Sequence, residues 1–383
     1  MKVRSRTRRF CGALLCLLAI YLLWFGWVLL RHRAGLQVPA GKGSFPNEAL
    51  GVYHVHTTFS DGRKSLEKVA AAAARQGLDF IILTDHGNPN RASLAGQGLK
   101  EGVLVLAGTE LSVSRGHLVA LDFRPPEKDF ARNAEEVALE VAAAGGFTVI
   151  AHPFSKTRWS WGGAAAFDGL EIITADSMVK KNLLRAIPYL PALLISPRIF
   201  LLKALDRPAQ SLKKWDQLGA SRVVYGYFST DAHLAYTALF SYFGLHVLLE
   251  RPLSRDFEQA RRQVFDGLRR GAFYCAVDAA RPAGGLSFWA ESGGVRFPMG
   301  STISADSATR VEFRAEAPFS FPVQTRLLRD GEVVQSVEGT GISFASAEPG
   351  VYRLEVYLRG RSLLARDVPW IISNPIYVRE VGS

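Results

Sequence analysis

Between residue 50 and about residue 280 the sequence repeats one pattern, a strand-length apolar run followed by a helical segment. In the first unit, the run 51–54 precedes a predicted helix over 65–76, with Ser65 as its N-cap and Gly77 after its end. Repeated strand–helix units predict an α/β fold with parallel strands, either closed into a barrel or left as an open sheet. Functional residues of such folds gather where the strands end. The other predicted strands are 79–84, 147–151, 222–229 and 272–277, and the other predicted helices are 133–145, 208–218 and 255–270.

After Pro282 the helical pattern stops and short strand-like runs follow one another. Asp330 and Gly331 between two alternating runs predict a hairpin. The segment 349–352 resembles the tyrosine corner of immunoglobulin-like sandwiches. We therefore expect a small all-β, immunoglobulin-like sandwich over 283–383, without a catalytic cluster of its own. Its predicted strands are 310–315, 323–328, 332–337, 352–358 and 375–378.

Residues 10–30 form an uncharged, mostly apolar run of 21 residues, long enough as a helix to cross a hydrocarbon core of about 30 Å. We interpret it as a transmembrane anchor rather than a cleaved signal peptide, because it exceeds a usual signal core and contains Trp24 and Trp27. Basic residues before the run outnumber those directly after it, which places the N-terminus in the cytoplasm. The prediction is a cytoplasmic segment 1–9, an anchor 10–30, a linker 31–49, a catalytic domain 50–282 and the sandwich 283–383, with both domains periplasmic or extracellular.

The net charge of +11 belongs mostly to the first 42 residues, which contain eight basic residues and no acidic residue. The remaining chain has 38 basic and 35 acidic residues, a balance of +3, so the high pI does not indicate a nucleic-acid-binding surface. Cys11 and Cys16 lie in the apolar run, which leaves Cys275 as the single thiol of the remaining chain. No intramolecular disulfide is expected there, and Cys275 reads as a buried small hydrophobe.

Histidines and carboxylates cluster directly after the predicted strands. His54 and His56 end the first strand, and the period of two places both imidazoles on one side of the backbone. Nitrogen and oxygen ligands without cysteine fit Zn(II), Mn(II) or Fe(II). Because one ion uses three or four protein ligands, nine candidates predict two or three divalent metals. The nine candidate ligands are His54, His56, Asp61, His86, Glu110, His117, His152, Asp231 and His233.

These motifs resemble those of the polymerase and histidinol phosphatase (PHP) superfamily over residues 50–280. The resemblance implies a distorted (β/α)7 barrel and hydrolysis, usually of phosphate esters, by a centre of three metals. It also implies a division of the ligands. The implied sets are His54, His56, Glu110 and Asp231 for one ion, Asp61, His86 and His233 for a second, and His117 and His152 with a bridging Glu110 for a third.

The order of the parts carries a second resemblance. A membrane span, a PHP domain and a sandwich that ends in the segment 369–378 are similar to a branch of the superfamily that includes carbaryl hydrolase-like metalloproteins. Members of that branch need not be phosphatases, so the substrate stays open between several kinds of ester.

The leading functional hypothesis is a phosphoesterase that hydrolyses a small-molecule substrate with metal-activated water. One alternative keeps the metals and hydrolyses a carboxylic or carbamate ester or an amide. Another is a non-catalytic surface protein whose metals hold the fold. Asp61 and His233 are candidates to move a proton as well as to bind metal. Arg115, Lys156 and Arg158 are candidates to bind a substrate anion.

Three further features have two interpretations each. Asp85 either orients a neighbouring ligand or caps the turn after its strand. His246 lies in an apolar run and belongs either to the core or to the layer that supports the ligands. The apolar stretch 183–205 is interrupted by proline and basic residues, and is either a helical insertion packed on the domain or a lid or membrane-surface contact.

Overall fold

The computed structural model describes residues 2–36, 45–155, 159–162, 167–306, 309–360 and 362–380. The helices are α1 (Lys2–Leu36), α2 (Leu66–Arg75), α3 (Arg91–Ala95), α4 (Ala134–Ala143), α5 (Ala175–Lys181), α6 (Leu183–Ala186), α7 (Pro197–Ala204), α8 (Ala209–Ser221), α9 (Tyr236–Phe240) and α10 (Phe257–Arg269), with a 3₁₀ helix at Ile187–Leu194.

The strands of the first part of the chain are β1 (Glu48–Val55), β2 (Phe80–Leu83), β3 (Gly98–Lys100), β4 (Val103–Ala107), β5 (Thr109–Val113), β6 (Gly116–Leu121), β7 (Phe147–Ile150), β8 (Gly169–Thr174), β9 (Tyr225–Ser229), β10 (Gly244–Leu248) and β11 (Phe273–Ala276). Those that follow are β12 (Ser287–Ser292), β13 (Val295–Pro298), β14 (Thr302–Ala305), β15 (Val311–Glu316), β16 (Val323–Arg329), β17 (Glu332–Glu338), β18 (Ile342–Ser346), β19 (Gly350–Leu358), β20 (Ile371–Ser373) and β21 (Ile376–Glu380).

Helix starts follow the capping signals of the sequence. The Asn133 side chain accepts hydrogen bonds from the backbone N–H groups of Glu135 and Glu136 at the start of α4. Asp256 does the same for α10 through the N–H of Gln259. Ser65 precedes α2 as predicted, although its side chain makes no capping hydrogen bond. Local sequence therefore fixes where these helices begin, and their apolar faces pack on the sheets.

The strands form three sheets of mixed direction. One sheet has the order β14-β21-β19-β20-β11-β10-β1-β2-β4-β3, with β16 and β17 added on β19, a second has the order β5-β6-β7-β8-β9, and a third has the order β13-β12-β15-β18. The pairs β1–β2, β2–β4, β7–β8 and β8–β9 are parallel, as the strand–helix repeat predicts. The pairs β5–β6, β6–β7, β1–β10 and β10–β11 are antiparallel, so the expectation of purely parallel layering was wrong.

The first two sheets approach each other where β1, β2 and β9 end and where β5 begins. Single parallel bridges join Val55 to Ala232 and His86 to Glu110. Within the described ranges these bridges do not continue into ladders, and the strands do not close into a barrel. The predicted (β/α)7 barrel is therefore unconfirmed, and the observed architecture is a mixed α/β fold whose two sheets meet at the candidate site.

The part after residue 282 is all-β, as predicted. β16 and β17 form an antiparallel hairpin around Asp330 and Gly331, both with positive φ. The Tyr352 hydroxyl donates to the carbonyl oxygen of Glu348, the contact that defines a tyrosine corner. One side of this part is not a separate sheet, however, because β20 pairs with β11 of the preceding domain. The predicted boundary at residue 282 therefore crosses a continuous sheet.

Side chains reinforce that junction, which we call the β11–β20 seam. Asn374 is buried, accepts a hydrogen bond from the N–H of Gly226 and donates to the carbonyl oxygen of Phe273. Arg353 on β19 is also buried and pairs with Asp216 of α8 and with Glu355. The segment 369–378, which the sequence singled out, thus builds the seam between the two parts.

The N-terminal helix α1 includes Phe10–Leu30, a stretch long and apolar enough to cross a membrane. A membrane anchor and a signal sequence both satisfy this test. Tyr21 and Trp24 of the stretch contact Pro188 and Tyr189 of the 3₁₀ helix.

Candidate metal centre

The end of β1 supplies the first two histidines. His54 adopts a left-handed backbone conformation with φ of 66°, and the pairing register of β1 with β2 shifts at this residue. Both Nε2 atoms, of His54 and of His56, lie 3.2 Å from Oε2 of Glu110 and 3.4 Å from Oδ1 of Asp231. The two imidazoles, which the sequence predicts on one side of the backbone, therefore face one point, and a bulge takes the place of a regular strand end.

Glu110, at the start of β5, is the centre of the cluster and is almost completely buried. Five imidazoles surround its two carboxylate oxygens at nitrogen–oxygen distances of 2.8–3.4 Å. They are His54, His56 and His86 at Oε2, and His117 and His152 at Oε1. A carboxylate with separate groups of nitrogens at its two oxygens has the arrangement of a bridging ligand.

A second group lies nearer the solvent. Oδ2 of Asp61 is 3.2 Å from Nε2 of His233 and 3.7 Å from Nε2 of His86, and Oδ1 is 3.5 Å from Nδ1 of His56. The Asp61 side chain is 55% exposed, which leaves one side of the cluster open to an approaching molecule. The structure therefore brings all nine sequence-predicted ligand candidates into one continuous cluster.

The charges of the cluster stabilise one another. Burial by itself would raise the pKa of the Glu110 carboxyl, but the imidazoles of His54, His117 and His152 hold that pKa well below its usual range. Burial by itself would lower the pKa of His54, but Glu171, Glu110 and Asp231 raise it well above its ordinary value. The neighbouring carboxylates likewise raise the pKa of His56 and His152. Metal binding at the nitrogens of His54, His56 and His152 is therefore expected to release protons.

Two observations test whether these residues fit metal ions. Two ligands that each lie about 2.1 Å from one ion are separated by about 3.0 Å at a right angle and about 3.4 Å at a tetrahedral angle. The nitrogen–oxygen separations in the cluster, 2.8–3.7 Å, bracket these two values. Among the described side chains, Nε2 of His56 and Nδ1 of His117 are buried yet lack a hydrogen bond of acceptable geometry, although both face Glu110. The donor set therefore fits divalent cations.

The overlapping groups that can hold an ion share several members. They are His56, Asp61, His86 and His233; His54, His152 and Asp231; His54, His56 and Glu110; and His86, Glu110 and His117. Glu110, His54, His56 and His86 each occur in two of these groups, so neighbouring groups share ligands.

Glu171 of β8 is a site residue that the sequence reading missed. Its Oε1 lies 2.5 Å from Nδ1 of His54, and its Oε2 accepts hydrogen bonds from the N–H of His152 and the hydroxyl of Thr174. It thereby fixes the ring orientation of one candidate ligand and the backbone of another. The available signal was a single acidic residue inside a buried apolar strand.

The hydrogen bonds that the Asp85 carboxylate accepts come from hydroxyl and backbone groups and from no imidazole ring. Its two oxygens accept hydrogen bonds from the N–H and hydroxyl of Thr57 and from the hydroxyls of Ser60 and Ser93. Asp85 therefore holds the loop between β1 and Asp61, a role between the two interpretations that its sequence position allowed.

Of the three candidate anion-binding residues, Arg115 is described, and its own contacts lie apart from this network. Arg115, between β5 and β6, pairs with Glu135 and donates to the carbonyl oxygen of Ser160. Lys156 and Arg158 lie outside the described residues. Arg115 lies two residues before the candidate ligand His117. Its role in binding an anionic substrate stays a prediction.

Part of the chain matches a known protein family. Residues 53–153 match the PHP domain family. No curated protein matches the sequence.

Three solved structures are distantly similar. A two-domain protein from Bacteroides vulgatus, which contains a predicted PHP-like metal-dependent phosphoesterase, is 14% identical with a TM-score of 0.43 over 88% of this chain and 98% of its own. An amidohydrolase from Chromobacterium violaceum is 18% identical with a TM-score of 0.31 over 48% of this chain and 87% of its own. A candidate metal-dependent phosphoesterase from Bifidobacterium adolescentis is 14% identical with a TM-score of 0.35 over 60% of this chain and 97% of its own.

The PHP match covers the loops that carry seven of the nine candidate ligands, from His54 to His152. Together with the histidine–carboxylate clusters it supports a metal-dependent hydrolase that binds divalent metal.

Proposed function

We propose that this protein is a membrane-anchored phosphoesterase of the PHP type, with two or three divalent metals and a small phosphorylated ester as substrate. The observation that carries the proposal is Glu110, whose two oxygens face two separate groups of imidazoles. With cations bound, Glu110 would hold neighbouring ions through its two oxygens, and paired ions of this kind would serve in-line displacement at phosphorus. Zn(II), Mn(II) and Fe(II) all suit its nitrogen and oxygen donors.

When bound, such ions lower the pKa of a coordinated water and stabilise charge on the attacking and leaving oxygens. The protein residues have separate roles in holding the cations and orienting the ligands. Glu110 and Asp231 supply the buried negative charge that retains the cations. Glu171 holds His54 in the orientation that directs Nε2 into the cluster.

Asp61 and His233 occupy the exposed side of the cluster, where a leaving group would depart. Their side chains are 3.2 Å apart, so a proton can pass between them and the substrate oxygen. We propose that this pair moves a proton in addition to binding metal. Arg115 is the proposed contact for a substrate anion from the described part of the chain.

The full-length protein, purified in detergent and loaded with Zn(II), Mn(II) or Fe(II), tests the proposal. Metal content is measured first, followed by hydrolysis of p-nitrophenyl phosphate, bis-p-nitrophenyl phosphate and p-nitrophenyl acetate in the same sample. We expect at least two metals and phosphate-ester turnover. We expect Glu110→Gln to lower that turnover more than the roughly 10–100-fold typical of residues that only support ligands.

Glu250→Gln is the matched control, because Glu250 is 80% exposed and lies outside the cluster. It should retain full metal content and turnover. Turnover of the acetate alone would transfer the proposal to carboxylic ester hydrolysis. Bound metal without turnover of any substrate would support a non-catalytic protein, and absence of metal after loading would contradict the metal centre itself.

A further inference from the structure

The segment 183–195 has an apolar surface that the fold of the described residues does not cover. It comprises α6 and the 3₁₀ helix Ile187–Leu194, and its side chains of Leu184 and Leu194 are 84% and 93% exposed. Five further large apolar side chains of this segment are between 42% and 59% exposed: Leu183, Ile187, Leu190, Leu193 and Ile195. A continuous exposed apolar patch of this kind marks a surface that binds another protein or a membrane.

The patch lies beside the apolar helix Phe10–Leu30. The Tyr21 hydroxyl donates to the carbonyl oxygen of Pro188 at 2.9 Å, and the rings of Trp24 and Tyr189 are 5.5 Å apart. Phe25 and Val28 of the same helix are buried. The two apolar surfaces are therefore continuous rather than separate.

Helix geometry sets the depth of this contact. Tyr21 precedes Leu30 by nine residues. At about 1.5 Å per residue, this places Tyr21 about 14 Å inside the span, close to half of a hydrocarbon core of about 30 Å. If Phe10–Leu30 crosses a bilayer, residues that touch Tyr21 and Trp24 lie inside the same hydrocarbon layer.

The charges around the patch suit a membrane surface. Between Asp176 and Asp206 the sequence has no acidic residue and has five basic residues that flank or interrupt the apolar run. Two of the five, Lys180 and Lys181, pair with these two aspartates. Basic residues beside an apolar helical segment are typical of elements that lie in the interface of an anionic bilayer. The basic residues are Lys180, Lys181, Arg185, Arg198 and Lys203.

The segment is also tied to the catalytic body. The Arg198 guanidinium donates to the carbonyl oxygen of Ala279, and the Tyr242 hydroxyl donates to that of Arg198. On the other side, α5 begins directly after Thr174, whose hydroxyl donates to Glu171 of the metal centre. The position of residues 183–195 at a membrane would therefore determine how the metal centre is placed relative to that membrane.

We propose that residues 183–195 insert among the lipid acyl chains beside the anchor, in the leaflet that faces the folded body. Two apolar elements then hold the folded body at the membrane. The inference rests on the proposal that Phe10–Leu30 is a retained membrane anchor.

Depth-dependent fluorescence quenching tests it on the full-length protein in vesicles of phosphatidylcholine and phosphatidylglycerol. Leu184→Cys and Leu194→Cys, each with Cys11 and Cys16 replaced by Ser, carry an environment-sensitive NBD label. Cys275 is buried and is expected to stay unlabelled in the folded protein. Leu139→Cys on α4 is the matched control, since Leu139 is 62% exposed and lies on another surface.

We expect labels at 184 and 194 to be quenched roughly three-fold more than the label at 139 by lipids with nitroxide on the acyl chain, because interfacial segments lie about 5–10 Å deep. They should also be protected from iodide in the water. Native Cys16, labelled in a Cys11→Ser protein, reports on the anchor.

Each other result overturns the inference in a recognisable way. If the label at Cys16 meets lipid while those at 184 and 194 meet iodide as freely as 139, the anchor stands and the insertion is wrong. If 184 and 194 are shielded from both quenchers, protein covers the patch, as a second copy of the chain would. If Cys16 itself meets no lipid, the anchor proposal fails first.

Discussion

At the scale of single residues, the metal centre is built on strained backbone. His54, His152 and Asp231 all have positive φ, a conformation that costs a residue other than glycine about 1–3 kcal/mol. Such strain persists where the surroundings hold it. The carbonyl of His54 accepts hydrogen bonds from the N–H of Ala232 and the hydroxyl of Thr230, and the N–H of His152 donates to Glu171. The strain directs three side chains into one point that regular strand ends would not reach.

Glu171 carries the prediction at this scale. Glu171→Gln keeps the size of the side chain but removes the negative charge that holds His54 and its ring orientation. We expect metal affinity to fall roughly 10–100-fold, as for other residues that support metal-bound histidine. Titration of the full-length protein against a competing chelator measures the change, with Glu250→Gln as control. Unchanged affinity would restrict Glu171 to a role in folding.

The candidate ligands were predictable at this scale, whereas the supporting residues were not. His54, His56 and the later clusters stand out because several polar residues follow an apolar run. Glu171 stands alone in the buried strand β8, and nothing in its spacing relates it to His54 far earlier in the chain. A contact between two distant residues that each look ordinary leaves no local pattern.

At the scale of elements, the opposite end of β1 contains a second buried charge cluster. His246 on β10 lies 2.6 Å from Glu48 at the start of β1 and 3.1 Å from Asp278 after β11, and its ring stacks on Tyr274. Burial alone would lower the pKa of His246, but the two carboxylates outweigh it and raise that pKa to about 10. The cluster fastens β1, β10 and β11 together and resolves the two readings of His246 in favour of the core.

The raised pKa predicts how stability depends on pH. A histidine with a folded-state pKa above its ordinary value of about 6.5 stabilises the fold fully below that pH. The contribution is lost as the pH rises toward 10. We expect His246→Phe, which keeps a ring against Tyr274, to lower the free energy of unfolding by roughly 3 kcal/mol at pH 6.

The same variant should differ much less from the natural protein at pH 9.5 than at pH 6. Denaturant unfolding of the metal-free protein at both pH values measures the two differences. An equal loss at pH 6 and pH 9.5 would contradict the ion cluster and leave only a packing role for the ring.

The bounds of helices and strands were predicted better than the directions in which neighbouring strands run. β7, α8 and α10 lie within a few residues of their predicted bounds because caps and apolar periods are local. The antiparallel order β5-β6-β7 was not foreseen, since an apolar run does not record which way its neighbour runs. β3, with three residues, is too short to form a recognisable period.

At the scale of the whole molecule, the β11–β20 seam predicts that the two parts unfold together. A sheet crosses the boundary, and the buried Asn374 of the all-β part bonds to Gly226 and Phe273 of the preceding part, which leaves no independent edge between them. The sequence correctly predicted that strand–helix repeats give way to strands alone near residue 282. It did not predict the shared sheet, because strand pairing across so many residues depends on the assembled fold.

Asn374→Ala tests this prediction. It removes the acceptor of the buried Gly226 N–H and the side-chain donor to the Phe273 carbonyl, which keeps only the longer bond from the backbone N–H of residue 374. We expect the free energy of unfolding to fall by roughly 2–4 kcal/mol, the cost of leaving such groups unsatisfied. Calorimetry should show one transition that moves as a whole. Asn133→Ala, which removes a surface helix cap, should cost only about 1 kcal/mol.

Two transitions, with the metal-binding part unchanged by Asn374→Ala, would show that the seam is not cooperative. Retention of metal content through the first transition would identify which part had unfolded.

The seam also has a consequence for biosynthesis. Chains are made from the N-terminus onward, and β20 follows β11 only after most of the all-β part has been synthesised. Until then β11 has an open edge, and the sheet that carries His54 and His56 lacks its neighbour. We therefore expect completion of the metal centre to wait until translation has passed β20. If the chain is exported as proposed, this delay would keep the first part unfolded enough to be threaded and would postpone metal capture until the far side.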